Sequence, residues 1–299
     1  MILNFYSQAH MGDVVIAKPF CKELINILKP EEVRFSHGYN SKLTDDLCQK
    51  GNPFDDVNIT HESHKVFCYY KGNILFINMW AGVTQSQIPN LRHASLNDNS
   101  YCIFDYMLDR YNYFLNKELK IDISYMNESP EKYFWVVDKD KFPLYRQVPI
   151  AQGYRKIVLL YNQEAQSGQI KNENMRNHIY PLVEKYKDVM FYLTSPKDLD
   201  GAELQRFDNV TFVTDFYEKT PMDIWENALF SEVCDIIVGA VSAPYMSTWT
   251  APNLMNPSKQ FVPITSMAYG DSMWHKSQKA LNHRVRTIPE AFTELNDLL

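Results

Sequence analysis

Two side chains suited to proton transfer lie near the start of the chain. His10 and Asp13 belong to the polar turn that follows the apolar run 2–6. A carboxylate or an imidazole can take the proton from a hydroxyl group as that hydroxyl attacks a substrate, so Asp13 is our first candidate general base and His10 the second. The competing interpretation is structural, because Asp is also a preferred residue at the N-cap of a helix.

Hydroxyl side chains follow another apolar run, 235–238, in the C-terminal half. Ser242, Tyr245 and Ser247 lie where a helix is expected to begin. Backbone N–H groups at a helix start, joined by hydroxyl donors, can stabilise the negative charge of a leaving diphosphate. The alternative is that these residues only cap the helix.

Further candidates come from loops at the predicted ends of strands and from one long irregular stretch. Loops at the carboxyl ends of the C-terminal strands are expected to contact a nucleotide. The residues concerned are Asn162, Gln163, Ser195, Asp215 and Phe216. In the N-terminal half, the irregular stretch 80–99 is long enough to favour a functional loop. Its candidates for ligand binding are Trp80, Gln85 and His93, which would bind the acceptor if the protein is a transferase.

The elements that must position these residues alternate between strand and helix. In the first half, the pattern predicts a strand over 2–6, a helix after Gly12-Asp13 that Pro30 closes, a strand over 33–36, a hairpin around Lys71-Gly72 and a helix over 101–115. In the second half, strands are predicted over 156–161, 189–194, 210–213, 235–238 and, as the last one, 261–264, with helices over 173–187, 222–230 and 289–299. Such alternation is typical of doubly wound parallel sheets.

The length of the chain divides naturally into two domains. A chain of 299 residues fits two hydrophobic cores of about 150 residues each. The segment 138–153 contains Pro143, Pro149 and Gly153, which is typical of a connection between domains. We therefore predict an α/β protein with two facing Rossmann-like domains, 1–149 and 150–299, and a cleft between them.

Composition and missing motifs argue against several functional classes. A net charge of −6 without a block of Lys and Arg is unlike a nucleic-acid-binding chain. The sequence has neither GxGxxG nor GxxxxGK[ST], which argues against NAD, FAD and P-loop nucleotide binding. Its five scattered cysteines indicate no disulfide framework and no zinc knuckle.

With no signal peptide or membrane span in the pattern, we expect a cytoplasmic protein that is at most peripheral to a membrane, without stable insertion.

Two segments carry a resemblance to a known family. In segment 2–19, a strand leads into a loop that ends in Gly12-Asp13-Val14, followed by a helix that carries Pro19. In segment 229–252, the strand 235–239 precedes a Ser-bearing helix start. The chain thereby resembles the ADP-heptose:lipopolysaccharide heptosyltransferases. It departs from them at 241–246, where that family has Asp-Thr-Gly-x-x-His.

The resemblance implies the GT-B architecture and an inverting, metal-independent transfer of a hexosyl, pentosyl or heptosyl group. The donor would be a nucleotide sugar, which acts as co-substrate without a further cofactor, and the acceptor a hydroxyl of a glycan or glycoconjugate. The segment Asp138-Lys139-Asp140 has the DxD spacing of metal-dependent glycosyltransferases, but it falls in the predicted connection. Two alternatives stay open: a nucleotide-sugar epimerase or hydrolase of the same fold, and a non-catalytic protein that binds nucleotides or sugars.

Overall fold

Each half of the chain forms its own compact unit in the computed structural model. The structure describes residues 1–7, 11–37, 44, 46–47, 66–80, 101–139, 153–161, 175–194, 201–213, 224–265 and 273–299. The first unit is Met1–Tyr133 and the second is Phe134–Leu299. The boundary predicted between 149 and 150 lies outside the described residues. Residues 134–139 pack with the second unit, where the ring of Trp135 lies 4.5 Å from that of Trp225.

The described part of the first unit is built on a four-stranded sheet. Its elements are β1 (Ile2–Ser7), α1 (Met11–Leu28), β2 (Glu32–His37), β3 (Cys68–Lys71), β4 (Ile74–Asn78) and α2 (Ile103–Leu119), followed by the 3₁₀ turns Ser124–Glu128 and Pro130–Tyr133. The strand order is β2-β1-β4-β3, with β1 parallel to both of its neighbours. The antiparallel hairpin of β3 and β4 turns at Gly72, whose φ of 62° favours glycine.

Aromatic rings fill the core of the first unit between its helices and its sheet. Phe20 of α1 stacks on Tyr111 of α2 with ring centroids 5.0 Å apart. Phe67 stacks on Phe114 of α2 at the same distance. All four side chains are buried, and burying one such side chain contributes about 1.5 to 3 kcal/mol. These contacts hold α1 and α2 in place relative to the strands.

The second unit is built on a parallel sheet. Its strands are β5 (Lys156–Tyr161), β6 (Val189–Leu193), β7 (Val210–Phe212), β8 (Ile236–Ala240), β9 (Gln260–Ile264) and β10 (Leu281–Asn282). Its helices are α3 (Arg176–Lys185), α4 (Gly201–Leu204), α5 (Ile224–Glu232), α6 (Ala243–Met246), α7 (Ala251–Leu254) and α8 (Ile288–Leu298). The strand order is β10-β9-β8-β5-β6-β7, and every neighbouring pair is parallel.

Alternate residues along these strands point to opposite faces of the sheet. One face, which we call the α8 face, packs against α3 and α8, and its buried residues include Leu160, Val238, Ile264 and Val285. The other face, which we call the α6 face, meets α5 and α6. There the Tyr161 hydroxyl donates to Asn227 Oδ1 of α5 at 2.6 Å, and the ring of Tyr245 in α6 lies 6.2 Å from that of Phe261.

Both sheets contain a point at which the chain reverses its direction across the sheet. β1 lies between β2 and β4, and β5 lies between β6 and β8. At such a switch point the loops that leave neighbouring strands diverge and open a crevice at the carboxyl ends of the strands. We call this end of each sheet its carboxyl edge, and it is where a bound ligand is expected in each unit.

The structure confirms most predicted elements and corrects two. The strand over 261–264 is not the last, because β10 follows it; β10 has two residues and no apolar run to signal it. Helix α1 begins at Met11, before Gly12-Asp13, so Asp13 lies inside its first turn. None of the helices in the described ranges has the length and apolarity required to span a bilayer.

Candidate functional site

The carboxyl edge of the first sheet is fixed by hydrogen bonds at the end of β4. Asn78 is fully buried, its Nδ2 donates to the Val66 carbonyl at 3.3 Å, and its Oδ1 accepts from the backbone N–H of Trp80 at 2.9 Å. The Tyr6 hydroxyl donates to the same Val66 carbonyl at 2.6 Å. These bonds set the path of the chain as it leaves β4. Trp80 is therefore held, half-buried, at this edge.

Asp13 lies at the same edge and is also half-buried. It is the third residue of α1, whereas a capping residue precedes the first helical residue, so the N-cap interpretation does not describe it. The positive end of this 18-residue helix favours an ionised carboxylate in the first turn. The chain therefore places a negative charge beside the switch point of the first sheet.

A buried tyrosine of α2 ties this edge to the core. The Tyr111 hydroxyl donates to the carbonyl of Met79, the residue after β4, at 3.1 Å. Burial raises the pKa of Tyr111 well above its ordinary value, and the thiol of Cys21 and the carboxylate of Asp13 act in the same direction. The hydroxyl therefore stays protonated and continues to donate its hydrogen bond in basic solution.

Five residues after Asp13, Lys18 places a cation inside the first unit. Its ammonium lies 2.7 Å from Asp46 Oδ1, and its side chain is 7% exposed against 38% for the aspartate. Burial lowers the pKa of Lys18 from 10.5 to about 8, and the Asp46 carboxylate opposes this shift only in part. The ion pair connects the chain after β2 to α1, but burial of the Lys18 charge destabilises the folded unit.

We expect Lys18→Met to change how stability depends on pH. The unfolded chain keeps the lysine proton up to about pH 10.5 and the folded chain releases it near pH 8, so the wild type gains stability as the pH rises through this window. Methionine does not titrate, so across this window the unfolding free energy of the wild type should rise relative to the variant by about 3 kcal/mol.

Urea unfolding at several pH values between 7 and 11 measures this difference. Lys22→Met, which changes an exposed lysine of the same helix, is the matched control and should show no such trend. A constant difference between wild type and Lys18→Met across the window would show that Lys18 keeps its proton in the folded chain.

At the carboxyl edge of the second sheet, β8 runs into the turn that carries Ser242. Ser242 is half-buried and has extended backbone geometry directly before α6. The ring of Tyr245 in α6 turns inward, with its centroid 6.0 Å from that of Tyr161 at the end of β5. Ser242 therefore stands beside the switch point of the second sheet.

A hydrogen-bond network inside the unit holds this turn in place. Asn227 accepts from the Tyr161 hydroxyl and donates through Nδ2 to the Pro244 carbonyl and to Ser247 Oγ, both at 2.7 Å. The Ser247 hydroxyl donates to the Pro244 carbonyl at 2.6 Å. This Asn227 network, formed by Tyr161, Asn227, Pro244 and Ser247, connects β5, α5 and α6.

The three predicted hydroxyl donors therefore have different environments. Ser247 is fully buried in the Asn227 network. Tyr245 is fully buried as well, and its hydroxyl has no hydrogen-bond partner among the described residues. Both side chains lie in the interior of the unit, and their assignment to diphosphate binding stays a prediction. Ser242 stays at the edge and remains a candidate.

One glycine lets β8 and β5 approach closely at this edge. Gly239 pairs with Tyr161 in the parallel ladder. A Cβ added to Gly239 would lie 2.5 Å from the Cβ of Tyr161. No larger residue fits at this position unless the strands move apart.

The segment with DxD spacing makes a structural contact where it is described. Lys139 lies 3.1 Å from Glu232 at the end of α5, and the glutamate is only 6% exposed. Asp138 is exposed, and Asp140 lies outside the described residues. The ion pair attaches the predicted connection to the second unit.

The remaining predicted site residues lie outside the described residues. In the first half these are His10, Gln85 and His93, and in the second half they are Asn162, Gln163, Ser195, Asp215 and Phe216. In the sequence, Asn162 and Gln163 directly follow β5, whose last residue is Tyr161. Their assignment to a binding site stays a prediction.

Similarity to solved structures identifies the fold. The chain is similar to a family 9 glycosyl transferase from Veillonella parvula DSM 2008, with 10% identity, a TM-score of 0.50, and coverage of 95% of this chain and 86% of that one. It is also similar to an E. coli heptosyltransferase with ADP, with 10% identity, a TM-score of 0.46 and coverage of 100% of both chains. A third similar structure is a UDP-GlcNAc 2-epimerase from Neisseria meningitidis bound to UDP-GlcNAc, with 13% identity, a TM-score of 0.43, and coverage of 99% of this chain and 92% of that one. No family model and no curated protein matches the chain. The first similarity confirms the predicted GT-B-type fold.

Proposed function

We propose that this chain is an inverting glycosyltransferase that moves a sugar from a nucleotide-sugar donor to a hydroxyl of a glycan or glycoconjugate. The observation that carries the proposal is the position of Asp13, a half-buried carboxylate beside the switch point of the first sheet. The GT-B-type fold supports it by analogy, because that fold provides one Rossmann-like unit for each of two substrates.

In the proposed reaction Asp13 acts as the general base. Its carboxylate takes the proton of the acceptor hydroxyl while the hydroxyl oxygen bonds to the anomeric carbon of the donor sugar. The bond from that carbon to the phosphate oxygen breaks, and its electron pair leaves with the nucleoside diphosphate. Because the oxygen attacks from the side opposite the leaving group, the configuration at the anomeric carbon inverts.

We assign the acceptor to the first unit and the donor to the second. Trp80 offers an aromatic face for a sugar ring at the edge where Asp13 lies, with Gln85 and His93 as further acceptor contacts. Ser242 lies at the corresponding edge of the second sheet, where an N–H or hydroxyl donor would meet the diphosphate. The nucleotide contacts we propose are Asn162, Gln163, Ser195, Asp215 and Phe216.

Incubation with a panel of nucleotide sugars tests this function. ADP-, UDP-, GDP- and CDP-sugars are supplied with and without glycan acceptors, and the released nucleoside diphosphate is measured. Release that depends on an acceptor supports a transferase, and the anomeric configuration of the product tests inversion. Conversion without an acceptor would instead indicate the epimerase or hydrolase alternative, and binding without any conversion a non-catalytic protein.

We expect turnover to continue at an unchanged rate in the presence of EDTA. The sequence has two segments with DxD spacing, 138–140 and 198–200. The first has its central Lys139 paired with Glu232, and we propose that protein donors meet the charge of the leaving diphosphate. Initial rates with EDTA, followed by addition of Mn²⁺ or Mg²⁺, measure this. A rate that falls in EDTA and recovers with metal would contradict the metal-independent mechanism.

A further inference from the structure

The chain after β10 carries two arginines toward the carboxyl edge of the second sheet. Val285 donates its N–H to the Pro263 carbonyl at 3.1 Å and accepts from the N–H of Thr265 at 3.0 Å. The parallel pairing of β9 and β10 therefore continues to Val285. Arg284 is thereby opposite Pro263, and Arg286 is one residue beyond the ladder.

The alternation of side chains places Arg284 on the α6 face. Val285 belongs to the core of the α8 face, and His283 Nδ1 lies 2.7 Å from Glu294 of α8, so these two residues point to the α8 face. Arg284 belongs to the opposite set. Arg286 lies beyond the strand pairing, in the bend directly before the N-cap Thr287 of α8. The α6 face is the one that also carries Ser242 at its edge.

The register also places these arginines level with the end of β8. Ala240 pairs with Ile264, and Ile264 bridges to Val285, so Val241 and Arg286 are each one residue beyond the same rung. The backbone after β10 is two strand spacings, about 10 Å, from that of β8. A diphosphate bound at this edge would thus have Ser242 on one side and the chain that carries Arg284 and Arg286 on the other.

The local charges favour an anion at this place. Arg286 is exposed and Arg284 is half-buried. The nearby carboxylate of Glu290 accepts from the Arg286 backbone N–H at 2.8 Å, while the Glu290 N–H donates to Thr287 Oγ1 at 3.3 Å, so this acid completes the start of α8. A guanidinium is charged at all ordinary pH values, and its planar donors match phosphate oxygens.

We propose that Arg284 and Arg286 form the cationic side of a diphosphate-binding site at the carboxyl edge of the second sheet, opposite Ser242. The ligand is a nucleoside diphosphate or its sugar ester, so the identity of the ligand rests on the proposed function. In that reaction the two arginines supply positive charge to a leaving group that no metal ion accompanies.

Titration calorimetry of the full chain tests the site with ADP, UDP, GDP, CDP and inorganic pyrophosphate as probes. The variants are Arg286→Gln and the double variant Arg284→Gln/Arg286→Gln. Arg206→Gln is the matched control, because Arg206 is an exposed arginine of the same unit that precedes β7 at the amino end of the sheet. Thermal unfolding verifies that each variant is folded.

For the diphosphate that the wild type binds, we expect the dissociation constant to rise about 10- to 100-fold in the double variant, or about 1.4 to 2.7 kcal/mol, and less in Arg286→Gln. Arg206→Gln should bind like the wild type. Affinity for the matching nucleoside without phosphates should not change in any variant, because the arginines contact the phosphates.

The outcomes separate this inference from the proposed function. If the double variant binds the nucleoside diphosphate as tightly as the wild type, the arginine site is wrong and the function stands. If the wild type binds pyrophosphate through these arginines but binds no nucleoside diphosphate, the site stands and the function is wrong. A wild type that binds neither probe would overturn both.

Discussion

Asp13→Asn should lower turnover by about 10²- to 10⁴-fold, equal to about 3 to 5 kcal/mol of transition-state stabilisation. Asparagine keeps the size of the side chain in the first turn of α1 but cannot accept the proton of the acceptor hydroxyl. Protein stability should stay near that of the wild type. Donor affinity should also be unchanged, because we assign the donor to the second unit. Initial rates at saturating substrates and a donor titration measure these quantities.

Two further variants separate a catalytic role from a structural one. Glu23→Gln removes another carboxylate of α1, which accepts a hydrogen bond from the Tyr125 hydroxyl, and should leave turnover unchanged. If Asp13 serves only the helix, Asp13→Ala should cost about 0.3 to 1 kcal/mol of stability and the folded enzyme should remain active. A fully active Asp13→Asn enzyme would move the search for the general base to His10.

Gly239→Ala should destabilise the second unit by about 2 to 3 kcal/mol, although it adds a single methyl group. The added Cβ would lie 2.5 Å from the Cβ of Tyr161, far inside ordinary contact. Rotation of a side chain cannot relieve this contact, because the backbone fixes the position of both atoms. β8 and β5 would have to separate at this rung of the ladder. Urea unfolding of the variant measures the loss.

A double-mutant cycle tests the steric cause. Tyr161→Ala keeps the Cβ, so Gly239→Ala should cost about as much in that background as in the wild type. Tyr161→Gly removes the Cβ, so the cost should fall there. Gly153→Ala is a control in which the new Cβ meets nothing within 4 Å and only the φ of 87° opposes it, at about 1 to 2 kcal/mol. Equal costs of Gly239→Ala in all three Tyr161 backgrounds would contradict the explanation.

The order of elements could be predicted because most strands are short apolar runs between polar turns. The run 156–161 matches β5 at both ends. β10 could not be predicted in this way, since two residues beside polar neighbours have no pattern of their own and pair only because β9 offers an edge. The predicted start of α1 was too late because Gly12 is a poor helix former, yet the fold buries Gly12 in the first turn of the helix.

The site could be predicted only where position along a strand was sufficient. Asp13 and Ser242 lie in the segments that follow β1 and β8, so their places at the carboxyl edges could be inferred from the sequence. Whether a hydroxyl faces outward depends on distant partners, and Ser247 turns inward because Asn227, 20 residues earlier in the chain, binds it. Arg284 and Arg286 form no basic block in the sequence, and their place at the carboxyl edge becomes visible only through the register with β9.

The Asn227 network holds the turn after β8 from inside the second unit, so the outer side of the turn can evolve separately. The side chain of Asn227 and the hydroxyls of Tyr161 and Ser247 fasten the turn after β8 from within the unit. Substitutions on its outer side, such as those at Ser242 or Met246, leave these bonds intact. In the function we propose, ligand preference depends on Ser242, whereas the fold of this turn depends on the Asn227 network. The first can therefore diverge while the second is maintained.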